Sequence, residues 1–71
     1  MNMIYVFKTT VQSQIFIEKL RPHLSKILPQ STWNFDLNDC DNILRIDSKE
    51  NIVLKVINLL NTFNFDCEEL E

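Results

Sequence analysis

The sequence predicts an α+β sandwich: two helices on one face of a four-stranded antiparallel sheet, chain order βαββαβ and strand order 4-1-3-2. Three observations carry this expectation. Two segments repeat apolar residues at the three- and four-residue steps of a helix, and one segment alternates strictly as a half-wet strand does. Four short strand-like runs surround the helices in an order that folds most simply as two helices over one open sheet. The 71 residues are read as one domain, 1–71.

The first strand is Met3 to Phe7, apolar throughout. Thr9 with Gln12 three residues on fits a capping box ahead of the first helix. That helix shows an apolar face of Ile17, Leu20, Leu24, Ile27 and Leu28, and Pro29 ends it. Pro22 removes an N–H and crowds the Glu18 carbonyl, so a kink or a two-piece helix is expected. Trp33, Phe35 and Leu37 then alternate with Asn34, Asp36 and Asn38, a strand with one wet face. Asn38-Asp39-Cys40-Asp41-Asn42 is a turn, and Ile43 to Ile46 returns as its partner strand. Asp47 or Ser48 is expected to cap the second helix, whose apolar face is Ile52, Val53, Val56, Ile57, Leu60 and Phe63. The last strand is read from Phe65 to Leu70. With no glycine in the chain, Asn61 or Asn64 must supply the left-handed residue that closes the second helix.

Composition narrows the function classes. The chain is 45% hydrophobic, as a domain this small needs to be to build a core. Two cysteines are too few for a disulfide framework and suit a reducing compartment, and no stretch reaches the ~20 apolar residues of a membrane span. The expected location is cytoplasmic, with no membrane association. Net charge is −3 and uneven: residues 1–28 hold Lys8, Lys19, Arg21 and Lys26 against Glu18, while the rest is acidic. That balance, with Ile43 and Arg45 rather than aromatics on strand three, argues against nucleic acid as a partner.

Several side chains are candidates for chemistry. Cys40 and Cys67 are the only thiols and the weak candidates for metal ligands; the topology separates them by roughly 10–14 Å, too far for a disulfide. Cys67, in phase with Phe65, is read as a core residue, and Cys40 as exposed between two aspartates. Asp36, Asp39 and Asp41 lack the oxygen count and loop glycine of a calcium site. His23 is the only histidine and makes neither a zinc site nor a triad. No catalytic residue, resident metal or cofactor is expected, and the protein is not read as an enzyme.

Trp33-Asn34-Phe35-Asp36-Leu37 with Ile43-Leu44-Arg45-Ile46, the helix Ile52 to Leu60, and Asn64-Phe65-Asp66-Cys67-Glu68 together resemble the heavy-metal-associated domain family, the ferredoxin-like fold of small copper chaperones. That family holds soft metals through a C-x-x-C pair where strand one meets helix one. The matching stretch here, Lys8-Thr9-Thr10-Val11-Gln12-Ser13-Gln14, has no thiol, so the metal site is not carried over.

Two roles remain. The first is a non-catalytic interaction module, a homodimer or a binder of an unknown protein. Its interface would be the open sheet face, with Tyr5 and Phe7 or their alternating neighbours Ile4 and Val6, together with Ile43 and Arg45. The second is a degenerate metal or small-ligand binder using the loops of Lys8, Thr9 and Thr10 and of Asp39 and Asp41, which the topology brings to one end of the sheet.

Overall fold

A computed structural model describes residues 2–70. It contains β1 (Met3–Thr9), α1 (Gln14–Ile27), β2 (Thr32–Asp36), β3 (Ile43–Ser48), α2 (Val53–Thr62) and β4 (Cys67–Leu70). The sheet order is β2-β3-β1-β4 with every pairing antiparallel, which is the expected ferredoxin-like arrangement. Among the described residues no helix is long and apolar enough to cross a membrane.

The core lies between the helices and one sheet face. Phe7, Leu44 and Ile46 project from the sheet onto Ile17, Leu20, Leu24 and Leu28 of the first helical segment and Ile52, Val56 and Leu60 of the second, all of them buried. These helical positions are the expected apolar stripes, except that Ile27, Val53 and Ile57 are only half-buried and Phe63 is exposed. Phe63 instead lies against the His23 ring, with centroids 4.7 Å apart.

Local capping differs from expectation. Thr9 belongs to β1, and Ser13 caps α1, its hydroxyl accepting the Phe16 N–H at 3.4 Å. The chain needs four further residues after Thr9 to turn from sheet to helix layer, so the Thr9–Gln12 box cannot form. Asp47 and Ser48 likewise remain in β3. The buried Ser48 hydroxyl accepts from Ser31 at 2.9 Å and from the Glu50 N–H at 3.3 Å, tying the ends of two loops together. Asn51 accepts the Val53 N–H at the start of α2. The last strand begins at Cys67 rather than Phe65, because Asn64 and Phe65 are spent closing α2; Asn64 takes φ 66°, and the Phe65 N–H reaches the Leu60 carbonyl.

Pro22 does not divide α1, which runs unbroken through it. Both Pro22 and Glu18 lie on the solvent side. A carbonyl on that side can tilt outward to water, which accommodates the missing N–H without ending the helix.

Candidate functional site

Three connections meet at one end of the sheet: β1 to α1, the β2–β3 hairpin, and α2 to β4. Thr9 and Thr10 join them. The Thr9 hydroxyl donates to the Asn42 carbonyl at 2.7 Å and accepts the Val11 N–H at 3.1 Å, while the Thr9 N–H donates to the Asp41 carbonyl. The Thr10 hydroxyl accepts the Asp66 N–H at 2.8 Å, and the Thr10 N–H returns to the Asp66 carbonyl. Lys8 lies 3.6 Å from Asp41, with both side chains largely in water. The expected ligand loops are thus brought together, but the threonine hydroxyls are engaged in holding the loops to each other.

Asp39, Cys40 and Asp41 place their ligand atoms within 4.8 Å of one another. They are two hard oxygens and one soft sulfur on a single turn, and Asp39 Oδ1 already accepts the Asp41 N–H at 2.8 Å. Asn42 supports that turn with φ 49°. Cys67 is half-buried beside the core, and burial pushes its thiol pKa up to about 12, which keeps it protonated at neutral pH. Both cysteines are free.

The second surface is the sheet face turned away from the helices. Strand parity and register place Ile4, Val6 and Lys8 of β1 there, beside Asp47, Arg45 and Ile43 of β3 respectively. Thr32, Asn34 and Asp36 extend these rows on β2, and Leu70 and Glu68 extend two of them on β4. Ile4 is 61% exposed and Leu70 37%, whereas Ile43, between Lys8 and Asp36, is buried. Arg45 reaches Asp36 at 3.7 Å across the strands. A shallow groove of about 350 Å³ runs between Ile4, Thr32, Asn34, Arg45 and Asp47. Asp47 lines it, and its Oδ1 is buried without a hydrogen-bond partner.

The structure corrects the interface residues expected on β1. Phe7 is wholly buried under the helices, and Tyr5 packs partly against the same core. Ile4 and Val6 form the open face instead. The physical reason is area: Tyr5 and Phe7 have far more apolar surface to remove from water than the aliphatic pair, so the helices cover them. Nothing in the sequence pointed to Asp47, whose place before a helix reads as a cap.

Fold and surface together define the class: a ferredoxin-like α+β domain in which, among the described residues, both helices pack on one sheet face and none covers the other. Comparison with protein-family models, curated proteins and solved structures found no match to the chain.

Proposed function

We propose that the protein is a non-catalytic, self-associating module whose open sheet face packs on the same face of a second copy. The observation that carries this reading is the apolar strip of Ile4, Val6 and Leu70 on a face no helix covers. Around it lie Lys8 and Arg45 together with Asp36, Asp47 and Glu68. A surface with both signs of charge can oppose itself without net repulsion, as a two-fold contact requires. The sheet edges are less suited to pairing. The four-residue β4 carries adjacent Glu68 and Glu69, and two such edges would set carboxylate against carboxylate.

The face measures roughly 19 Å by 20 Å, from four strands at ~4.8 Å and six residues at ~3.4 Å. That footprint, near 400 Å², is about half of the ~800 Å² per partner of a standard interface, so the dimer is weak and concentration-dependent. Sedimentation velocity from micromolar to millimolar protein should show the average mass rising toward twice the monomer. Ile4→Lys, at an exposed position, should abolish that rise while leaving the melting curve unchanged. A wild-type protein that stays monomeric throughout would refute the reading.

A further inference from the structure

The unpartnered Asp47 carboxylate and its neighbour Arg45 specify how two copies would meet, an inference that rests on the face-to-face reading above. Asp47 Oδ1 is the one buried side-chain polar atom among the described residues without a hydrogen-bond partner. A buried acceptor left unpaired is costly; this oxygen is closed to solvent, so a donor from a second copy reaches it only once the half-buried side chain turns outward into the groove that Asp47 lines. Within the chain the nearest guanidinium on this face is that of Arg45, two residues back on β3, and it turns instead toward Asp36 at 3.7 Å, with its side chain 45% exposed. An ion pair that long and that wet holds the arginine only weakly.

We infer that Arg45 of each copy enters the groove of the other and donates to its Asp47, forming two equivalent ion pairs about a two-fold axis. The spacing allows it. Arg45 and Asp47 lie on the same face of one strand, ~6.8 Å apart along it. A two-fold axis between the sheets, crossing the strands midway between these positions, exchanges them, so Arg45 faces the second copy's Asp47 and the reverse. The same operation sets Val6 opposite Ile4 and Asn34 opposite Thr32, because their register rows coincide with those of Arg45 and Asp47. Apolar therefore meets apolar, amide meets hydroxyl, and cation meets anion. Packed sheets lie ~10 Å apart, within reach of an extended arginine opposite a short aspartate. The ~30° angle between aligned sheets displaces groups this close to the axis by only about 2 Å. The groove between Ile4, Thr32, Asn34, Arg45 and Asp47 straddles the position of that axis and receives the guanidinium.

The test exploits the symmetry. Arg45→Asp alone sets aspartate against aspartate twice, and Asp47→Arg alone sets arginine against arginine twice, so each variant should self-associate at least 30-fold more weakly than wild type. Mixed in equal amounts, the two variants restore both ion pairs and should form a heterodimer within about threefold of the wild-type dissociation constant. Circular dichroism of each variant checks folding. If Asp47→Arg fails to fold, Asp47→Asn keeps the side chain's size and should weaken self-association about tenfold. Wild-type dimerisation that Ile4→Lys abolishes, but that the charge variants leave intact, overturns the reciprocal pairing and spares the face. Single variants that lose the dimer, with a mixture that stays monomeric, also overturn it. A monomeric wild type removes both proposals.

Discussion

Replacing Thr9 by valine tests whether the threonines at the strand-one turn hold the fold or wait for a ligand. Thr9 is 4% exposed, and its hydroxyl makes two hydrogen bonds, at 2.7 Å to the Asn42 carbonyl and at 3.1 Å from the Val11 N–H. Valine has nearly the same shape and the same β-branch, so the strand conformation is retained and the hydroxyl alone is removed. Each lost bond contributes about 1 kcal/mol, and the buried Val11 N–H left without an acceptor raises the total to about 2–3 kcal/mol. For a domain of this size that loss lowers Tm by roughly 10–20 °C. Urea denaturation followed by Trp33 fluorescence and thermal melting by circular dichroism measure it. Thr9→Ser keeps the hydroxyl and sacrifices one methyl, and should cost about 1 kcal/mol. A Thr9→Val protein within 0.5 kcal/mol of wild type would mean that the hydroxyl contributes little to joining the loops, and the structural account of this turn would be refuted.

Pro22→Ala restores an N–H for the Glu18 carbonyl and removes the ring clash on the exposed side of α1, so stability should rise by about 2 kcal/mol, read as a higher urea midpoint; an unchanged midpoint would show that the helix already accommodates the proline without strain. Cys67 has its pKa raised by burial to about 12 from the ordinary 9.0, so at pH 8 only about one molecule in 10⁴ is thiolate and a disulfide reagent should label exposed Cys40 long before Cys67. Stability from the neutral, buried thiol is complete below pH 9 and declines as pH rises toward 12. Equal labelling rates for the two cysteines in native protein would contradict this burial.

Much of the fold was legible in the chain because its apolar periodicities are strong. Ile17, Leu20, Leu24 and Leu28, and Ile52, Val56 and Leu60, recur at helical spacing and are all buried, while Trp33 and Phe35 alternate as expected and form an edge-to-face pair with centroids 6.0 Å apart. The positive-φ residue was foreseeable as one of two, Asn61 or Asn64, since a glycine-free chain must use asparagine there, and it is Asn64. Capping was not legible. Ser13, Ser31, Ser48 and Asn51 each bond according to where the loop leaves the sheet, and local pattern offers several equivalent partners. Of the two expected effects of Pro22, a kink or a two-piece helix, the division does not occur for a related reason: it depends on whether the affected carbonyl faces water or core.

Sequence by itself determined the element order, the two helical stripes and the absence of thiols between strand one and helix one, because each is a property of residues near one another in the chain. Tertiary structure decided which side of β1 the helices cover. A period-two strand is symmetric until something packs on it, and only then do Tyr5 and Phe7 go inward and Ile4 and Val6 outward. It also decided the fate of the hydroxyls of Thr9 and Thr10, whose partners Asn42 and Asp66 lie 33 and 56 residues away. The same is true of Asp47. It lies on β3 between Ile4 of β1 and Thr32 of β2 with one carboxylate oxygen unpartnered, a juxtaposition that exists only once the sheet has formed.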